Sequence, residues 1–595
     1  MEGSTAAKVT ATTMTEAFRD TVARVPDRVA MRTVDDSVSL TWAEVRDRSD
    51  ALAGGLAGLG VGRGDTVALM FNNRPEFHIA DLAAMTLGAT AFSIYQTLPA
   101  EEIEYVVSDA GARVAIIEEA FLPVFLKARE GLPALEQVIV LGEAPEGTVA
   151  WEDVEGADPD FDAEASWRQV TPDDLLTLIY TSGTTGPPKG VQLSHRNLLA
   201  AVATIDDIVE FPDGSKVISW LPSAHVAERN AHHYIPVVYG MTVTCCDNPR
   251  DIISYLPKVH PTWFFAVPRI WEKLKAVLET MLQSAPEEQR ERVDAAFADA
   301  REKVRLEQAE EPVPVDLAER CAKADAEIFS GLRSMLGLDE VVTVNVGAAP
   351  TSPEVLLFFH TMGIKLAELW GMSETCGAGT VNPPKRIKIG TVGPPAAGVE
   401  LRLADDGEVQ IRGDIIMVGY RNMADKTAET IDAEGWLSTG DIGHIDDDGY
   451  LSIVDRKKEL IINAAGKNMS PTNIESSLKA ASPLIGQACA IGDSRPYNTA
   501  LIVLEADFAP TWAAQHGIQD TSLEALAVHP DMIAAVQAGV DRANETLARV
   551  EGIKKFTLVK GDWLPGGDEL TPTMKLKRKP ISTKYETAIE AMYAG

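Results

Sequence analysis

A buried strand that runs directly into a segment rich in glycine and hydroxyl groups is the strongest constraint on how this 595-residue chain folds. Residues 175–180 read LLTLIY, an apolar run typical of a strand covered on both faces. The following residues 181–190, TSGTTGPPKG, combine four Ser or Thr hydroxyls, three glycines and a lysine. Glycine lets backbone N–H groups approach a phosphate, hydroxyls donate hydrogen bonds, and lysine supplies positive charge. The segment therefore predicts a phosphate-binding loop, although the spacing of a Walker A loop is absent.

Helical and strand-like patterns alternate around this segment. Residues 43–59 and 79–87 have small and apolar residues at helical spacing, whereas residues 66–71 and 114–117 are short apolar strands. Such alternation favours crossover units around a parallel sheet. After residue 453 short strands mix with helices. We predict an α/β chain: a large N-terminal domain with mixed or parallel sheets flanked by helices, followed by a small, mobile C-terminal α+β domain.

The boundary between the two predicted domains lies near Asp455. It gives an N-terminal domain of residues 1–455 and a C-terminal domain of residues 456–595. Within the first domain, residues 285–326 are rich in Glu, Ala, Arg and Gln, and we interpret them as a solvated helical excursion. A helix that docks a partner is the alternative interpretation.

One helix can be bounded from local chemistry alone. Ser352 followed by Pro353 is a good pair for an N-cap and a first helical turn. Gly363 then supplies a stop. We therefore expect a helix that begins at Pro353 and continues through Thr361.

Charge and cysteine content exclude several classes of protein. The chain has 54 Lys and Arg against 88 Asp and Glu, a net charge of −34, which argues against nucleic acid as a partner and against adhesion to anionic lipid. Five cysteines without a C-x-x-C pair predict neither a disulfide framework nor a zinc site.

The N-terminus lacks the apolar core of a signal peptide, and no apolar run reaches the ~20 residues of a membrane span. We expect a soluble, cytoplasmic protein and leave peripheral membrane contact open.

Six segments, in order along the chain, resemble the motifs of the adenylate-forming superfamily, which includes acyl-CoA synthetases, luciferases and peptide-synthetase adenylation domains. The first is the glycine-rich loop at residues 180–190. The others are GAAP at 347–350, WGMSE at 370–374, STGD at 438–441, DRKK at 455–458 and TPTMK at 571–575. The resemblance spans about residues 15–585 and is greatest to bacterial long-chain acyl-CoA synthetases.

This resemblance implies an enzyme, an AMP-forming ligase that works in two steps. ATP converts a carboxylic acid, here a long-chain fatty acid or another bulky hydrophobic carboxylate, into an acyl-adenylate and pyrophosphate. Coenzyme A then takes the acyl group, and AMP leaves. One alternative is a fatty acyl-AMP ligase that loads a separate acyl-carrier protein. From another class of protein, the alternative is a nucleotide-binding regulator without catalysis.

The resemblance also implies roles for individual residues. Lys575, Thr181 and Glu374 would be catalytic, and the latter two would contact Mg²⁺. Lys575 would act as a cation that bridges the reacting carboxylate and the α-phosphate. Asp441 would accept hydrogen bonds from the ribose hydroxyls. The other nucleotide contacts would come from Ser182, Gly183, Thr184, Thr185, Lys189, Gly347, Ala348, Trp370, Gly371, Met372, Ser373, Arg456 and Lys458.

The remaining implied features concern adenine, the hinge and the acyl pocket. Trp370 stands where the family more often has tyrosine, and its indole can still pack against adenine. Lys458 would be the hinge about which the small domain turns between the two steps. The acyl pocket would be lined by His225, Trp263 and Val267. The alternative for the lysine-rich segment 575–579 is an exposed basic tail.

Overall fold

The computed structural model of the protein describes residues 9–181, 187–206, 208–209, 211–464 and 467–594. The predicted Ser182, Gly183, Thr184 and Thr185 lie outside these ranges. Within them, a large N-terminal α/β domain is followed by a smaller C-terminal domain of strands and helices, which confirms the predicted fold class. No helix in these ranges is long and apolar enough to cross a membrane.

The largest sheet of the described chain has eight strands. Its central strand Thr66–Met70 is buried throughout, and its alternate residues enter two separate hydrophobic cores on the two faces of the sheet. The strands are parallel except where Lys189–Ser194 pairs antiparallel with both of its neighbours. In spatial order they are Gly419–Tyr420, Lys189–Ser194, Leu175–Thr181, Thr90–Ser93, Thr66–Met70, Val114–Glu118, Gln137–Leu141 and Val149–Ala150.

Three four-stranded sheets complete the described part of the N-terminal domain. One contains Lys216–Ser219, Thr242–Cys245, Val29–Thr33 and Ser39–Thr41. The second contains Trp263–Ala266, Thr343–Val346, Leu366–Trp370 and Thr380–Val381, of which the first three run parallel. The third is antiparallel and contains Glu400–Leu403, Glu408–Arg412, Leu437–Ile445 and Leu451–Arg456.

Helices cover these sheets. The α-helices are Met14–Arg24, Trp42–Gly58, Pro75–Thr86, Ala100–Ala110, Leu122–Arg129, Trp151–Val154, Ala163–Trp167, His195–Asp206, Val226–Arg229, Ile235–Tyr239, Ile252–Val259, Pro268–Gln283, Glu287–Gln308, Val315–Ala324, Ser330–Met335, Pro353–Thr361 and Ala424–Thr430. Two π-helical turns, Asn230–Tyr234 and Asp325–Phe329, interrupt them. Short 3-10 turns occur at Glu119–Phe121, Pro249–Asp251 and Ser373–Thr375.

The segment rich in Glu and Arg folds as helices that pack on the N-terminal domain. Helix Glu287–Gln308 buries Val293, Ala296, Ala300 and Val304, which recur every three or four residues and so form one face. Beside this face, Phe297 stacks on Phe358 with their ring centroids 5.5 Å apart. The other side of the helix carries its charged residues into solvent.

The C-terminal domain has its own core, in which helices cover a three-stranded sheet. Strands Ile485–Ile491 and Asn498–Leu504 are antiparallel, and Ile553–Leu558 is parallel to the second. Ile474 and Leu478 of one helix and Val536 and Val540 of another belong to this core. A two-stranded ribbon, Ile461–Ile462 with Asn468–Met469, precedes it. The helices are Pro471–Ala481, Ala509–Gln515, Leu523–Leu526, Pro530–Thr546, Arg578–Lys584 and Glu586–Tyr593.

Candidate active site

A cleft of about 2700 Å³ lies between the two domains, at the carboxyl ends of three parallel strands. Strands Trp263–Ala266, Thr343–Val346 and Leu366–Trp370 end at one edge of their sheet, where parallel sheets commonly bind ligands. The predicted residues that line the cleft are Thr181, Lys189, His225, Trp263, Val267, Ala348, Trp370, Gly371, Met372, Ser373, Glu374, Asp441, Arg456, Lys458 and Lys575. Among the predicted site residues that the structure describes, Gly347 is the one that does not line the cleft.

Asp441 is fixed in the cleft by a tryptophan and an arginine. Antiparallel pairing of its strand with the next places Asp441 opposite Arg456, whose Nε lies 2.9 Å from Asp441 Oδ1. Trp370 Nε1 donates a hydrogen bond of 2.8 Å to Oδ2. Burial raises the pKa of the Asp441 carboxyl, and the positive charge of Arg456 opposes that rise. Each carboxylate oxygen has a second lone pair, so Asp441 can still accept hydrogen bonds from a diol such as ribose.

Tyr420 links a carboxylate to a cation. Its hydroxyl donates a hydrogen bond of 2.7 Å to Glu374 Oε1, and Lys189 Nζ lies 4.1 Å from the centre of its ring. Tyr420 reaches this place because its short strand pairs with the strand that begins at Lys189. Glu374 is only 5% exposed, so this hydrogen bond orients a buried carboxylate. Thr181 lies at the end of the neighbouring strand, with Oγ1 3.4 Å from the carbonyl oxygen of Lys189.

Lys575 extends into the cleft from the C-terminal domain. Its side chain is exposed to the cleft, and partial loss of hydration lowers the pKa of its ammonium group. The positive charge of Arg456 lowers this pKa further, whereas the negative charges of Asp441 and Glu374 raise it. Arg456, Asp441 and Glu374 therefore all lie within electrostatic reach of Lys575. The structure thus brings residues from three separate motifs and the C-terminal loop to one place.

Tight turns shape the wall of the cleft after Trp370. Gly371 has no room for a side chain, because a Cβ there would lie 1.6 Å from the carbonyl oxygen of Gly377. Cys376 adopts a left-handed φ of 56° just after the 3-10 turn that carries Glu374. Left-handed conformations of non-glycine residues are costly and often occur at functional sites. Met372 precedes the turn, and its N–H donates to Thr375 Oγ1 at 3.0 Å.

His225, Trp263 and Val267 line another side of the same cleft. His225 caps helix Val226–Arg229, and its Nδ1 accepts the N–H of Ala227 at 3.1 Å. Burial, and secondarily the charge of Lys575, lowers the pKa of His225 to about 4, so the imidazole is neutral near pH 7. Trp263 donates from Nε1 to Asn345 Oδ1 at 2.8 Å, which satisfies its polar atom. These side chains therefore present uncharged surface to a ligand.

Asp455 joins the strand Leu451–Arg456 to the first helix of the C-terminal core. Its Oδ2 accepts hydrogen bonds from Ser470 Oγ at 2.6 Å and from the N–H of Thr472 at 3.1 Å. Ser470 is also the N-cap of helix Pro471–Ala481. Lys458, three residues after Asp455, is exposed at the rim of the cleft. The connection between the domains is thus short and anchored at Asp455.

The residues of the cleft fit a cation that arrives with a nucleotide. Among the described residues, no group of three or more His, Cys, Asp or Glu side chains could hold a metal ion. Mg²⁺ commonly takes one or two protein oxygens and completes its coordination with phosphate oxygens and water. The buried carboxylate of Glu374 and the hydroxyl of Thr181, both in the cleft, are donors of that kind.

Among the cleft residues that the sequence analysis did not predict, Tyr420 and Glu368 have the clearest polar roles. Glu368 is 8% exposed, accepts the N–H of Thr351 at 3.3 Å, and has its pKa raised to about 8 by burial. The sequence held one signal for Glu368: it is an acidic residue within the apolar strand Leu366–Trp370, which indicates a buried carboxyl. No local pattern marks Tyr420, because it reaches Glu374 only through strand pairing.

Family comparison agrees with this geometry. A family model described as AMP-binding enzyme matches residues 18–421, and one described as AMP-binding enzyme C-terminal domain matches residues 458–595. The chain therefore belongs to the family of AMP-binding enzymes, which confirms the resemblance found in its motifs.

The similarity to individual relatives covers most of the chain. The protein designated fadD11 in Mycobacterium tuberculosis (strain ATCC 25618 / H37Rv) is 48% identical over 436 residues, 73% of this chain and 76% of that one. The long-chain-fatty-acid–CoA ligase FadD15 of the same organism is 34% identical over 591 residues, 96% of this chain and 95% of that one. The solved structure of the anthranilate CoA ligase AuaEII with anthranoyl-AMP has a TM-score of 0.74 at 21% identity, covering 97% of this chain and 98% of that one. This structural similarity shows that the two chains share a fold.

Proposed function

We propose that the protein is an AMP-forming long-chain fatty acid–CoA ligase. In the first step, a carboxylate oxygen of the acid attacks the α-phosphorus of ATP, the bond to the bridging β-phosphate oxygen breaks, and pyrophosphate leaves. In the second step, the thiol of coenzyme A attacks the acyl carbonyl and loses its proton, and AMP leaves. The products are acyl-CoA, AMP and pyrophosphate.

The observation that carries this proposal is the meeting of Lys575 with Asp441 and Glu374 in one cleft. A carboxylate and a triphosphate repel each other, so their approach requires fixed positive charge in a site that excludes water. Lys575 from the C-terminal domain, Lys189 from the N-terminal domain and Arg456 at the boundary between them supply that charge. Membership in the AMP-binding family and the ligase relatives support the same reaction.

The proposed roles follow from the contacts of each side chain. Lys575 stabilises the negative charge shared by the reacting carboxylate and the α-phosphate. Asp441, oriented by Trp370 and Arg456, binds the ribose hydroxyls. Further nucleotide contacts are proposed for Ser182, Gly183, Thr184, Thr185, Lys189, Gly347, Ala348, Gly371, Met372 and Ser373.

Glu374 and Thr181 are proposed to hold Mg²⁺ together with ATP. When bound there, the ion would neutralise part of the phosphate charge. The hydroxyl of Tyr420 orients the Glu374 carboxylate for this contact. The ammonium group of Lys189 lies over the same tyrosine ring, and Lys189 lines the cleft.

The proposed domains are residues 1–455 and 456–595, with Lys458 as the hinge between them. Rotation about Lys458 after the first step would withdraw Lys575 and admit the thiol of coenzyme A. The exposure of Lys458 next to the anchored Asp455 supports this assignment, because an exposed backbone can change its dihedral angles without disturbing a core.

A long-chain fatty acid is the proposed acid, with its pocket lined by His225, Trp263 and Val267. The name of the relative FadD15 supports this choice. So do the apolar side chains that line the same cleft, Ile205, Ile208, Val209, Ile253, Val277 and Met281. A cytoplasmic location belongs to the proposal as well, and the five cysteines, all free, are consistent with a reducing compartment.

The test is release of pyrophosphate from ATP with medium-chain, long-chain, aryl and steroid-like acids, each with and without coenzyme A. We expect the highest rates with long-chain acids and thioester only when coenzyme A is present. Acyl-adenylate that accumulates and is never transferred to coenzyme A would favour a carrier protein as acceptor. No pyrophosphate with any acid would contradict the proposal.

A further inference from the structure

Three residues after Lys575, the guanidinium of Arg578 is held by two carboxylates. Its Nη1 and Nη2 donate to Oε1 and Oε2 of Glu475 at 2.6 and 3.0 Å, and its Nε donates to Glu459 Oε2 at 3.1 Å. The Glu475 pair is a bidentate fork, the strongest geometry for an arginine and a carboxylate. Arg578 therefore does not belong to an exposed basic tail, since only 21% of its side chain is exposed.

The two carboxylates belong to structurally distinct segments. Glu475 lies in helix Pro471–Ala481, is 5% exposed, and its Oε1 also accepts the N–H of Ala490 at 2.8 Å. Glu459 directly follows the proposed hinge residue Lys458. Arg578 thus ties three parts of the C-terminal domain together: the base of the lysine loop, a core helix and the segment after the hinge.

The loop between Leu570 and Arg578 is a tight hairpin that presents Lys575. Its ends pair at Leu570 and Leu576. The N–H of Thr571 donates to the carbonyl oxygen of Lys575 at 2.8 Å, and the N–H of Lys575 donates to Thr571 Oγ1 at 3.0 Å. The hairpin has internal order, and buried Leu570 packs its first end into the core of the domain. The ion pairs of Arg578 add a polar anchor at its other end.

We propose that Arg578 is a positioning residue for Lys575, fixing the lysine loop to helix Pro471–Ala481 and to the segment that follows the hinge. The proposal rests on the proposed function, because it gives Lys575 the task of stabilising charge in the first step. Arg578 borders the same cleft, but Glu475 and Glu459 hold its guanidinium, so we assign it a role that acts through Lys575. When the domain rotates, the lysine loop moves with the core as one unit.

The test measures both half-reactions of Arg578→Lys, which keeps the charge and loses the fork. We expect adenylation to slow by about 10- to 100-fold, the scale of loss when a reacting group is slightly misplaced. Thioester formation from supplied acyl-adenylate and coenzyme A should stay near the wild-type rate. The matched control is Lys579→Gln at the exposed neighbouring residue, which should leave both rates near wild type.

A double variant separates positioning from a general structural effect. If Arg578 acts only through Lys575, then adding Arg578→Lys to Lys575→Ala should slow adenylation no further than Lys575→Ala alone. A double variant slower than Lys575→Ala by the full factor of Arg578→Lys would overturn the proposal. A Lys575→Ala variant with wild-type adenylation would instead refute the proposed role of Lys575 itself.

A second variant covers the case in which Arg578→Lys does not fold, as judged by its thermal unfolding. Glu475→Gln removes one charge of the fork and keeps an oxygen that can accept the N–H of Ala490. We expect the same selective loss of adenylation. Equal losses in both half-reactions of a folded Glu475→Gln protein would contradict positioning.

Discussion

At the scale of single residues, protein donors hold the carboxylates of the cleft in fixed orientations. Trp370 donates to Asp441, and Tyr420 donates to Glu374. Groups that are already oriented need not reorganise when substrate reacts, which is how a preorganised site lowers a barrier. The indole N–H of Trp370 and the hydroxyl of Tyr420 therefore contribute to the site by orienting these two carboxylates.

Replacing Tyr420 with phenylalanine should slow adenylation while the protein stays folded. The change removes the hydroxyl that orients Glu374 and keeps the ring beside Lys189. A hydrogen bond to a charged group contributes about 1.5–3 kcal/mol, so we expect a loss of about 10- to 100-fold. ATP–pyrophosphate exchange measures it.

The matched control is Tyr450→Phe, which removes a hydroxyl that donates to the carbonyl oxygen of Arg386 at 2.8 Å, outside the cleft. It should leave exchange near the wild-type rate. If Tyr420→Phe exchanged pyrophosphate as fast as Tyr450→Phe, the hydroxyl of Tyr420 would have no part in the reaction.

Sequence motifs and tertiary contacts contributed differently to the site. Glu374, Asp441 and Lys575 could be predicted because they stand in contiguous motifs, each with a chemical reason for its residue type. Tyr420 could not, since only strand pairing brings it to Glu374. For Glu368 the apolar strand around it was a signal of burial, but the sequence alone does not show how strongly burial raises its pKa.

At the scale of elements, a buried histidine joins the first helix to the rest of the N-terminal domain. His195 begins helix His195–Asp206, is 1% exposed, and its Nδ1 accepts the N–H of Met14 at 3.1 Å. Burial lowers the pKa of His195 to about 4. Protonation would both charge a buried ring and remove the acceptor for Met14.

The free energy of unfolding should therefore fall as the pH falls from about 6.5 to about 4, because the unfolded chain binds the proton more tightly in that range. For His195 the loss between pH 7 and pH 5 is about 2 kcal/mol. His195→Gln keeps an acceptor and cannot be protonated, so its stability should fall less over this range. Urea unfolding at both pH values measures the difference.

The exposed His516 provides the control for this pH dependence. His516→Gln should show the same loss between pH 7 and pH 5 as the wild-type protein. If His195→Gln lost as much stability as His516→Gln, then His195 would not be the buried neutral group described here.

Helix Pro353–Thr361 illustrates which elements the sequence can define. Ser352 is its N-cap and accepts the N–H of Glu354 at 3.3 Å, as predicted from cap chemistry. Gly363 follows it with a φ of 77°, the left-handed conformation that suits glycine. Local chemistry determines such ends, whereas the order of strands in the central sheet depends on contacts between distant segments.

At the scale of the whole molecule, ion pairs hold the two domains in the orientation that places Lys575 in the cleft. Helix Pro268–Gln283 supplies Arg269, which pairs with Glu505, and Lys273, whose Nζ lies 2.7 Å from Asp507 Oδ2. Both acids belong to the C-terminal domain. Only 18% and 12% of the Arg269 and Glu505 side chains are exposed, so this pair is partly shielded from salt.

Neutralising this pair as Arg269→Gln with Glu505→Gln should slow adenylation and spare thioester formation from supplied acyl-adenylate. The double change avoids leaving one buried charge unpaired. The ion pair of Arg269 with Glu505 forms in the domain orientation that places Lys575 in the cleft. Losing the pair should therefore lower the population of that orientation. Rapid-quench measurement of both half-reactions tests this expectation.

The control is Arg301→Gln with Glu354→Gln, an exposed ion pair within the N-terminal domain whose atoms lie 2.9 Å apart. Its removal should change neither rate. Equal slowing of both steps by the Arg269 and Glu505 double variant would indicate general damage, and no slowing would show that the pair does not control the orientation.

The most direct test of the account is to measure both half-reactions of Lys575→Ala. Adenylation should fall by about 10²–10³-fold, the usual loss on removing one group that stabilises transition-state charge. Thioester formation from supplied acyl-adenylate and coenzyme A should continue near the wild-type rate, since Lys575 would be withdrawn at that stage. Adenylation at the wild-type rate would contradict the claim that the C-terminal loop completes the nucleotide site.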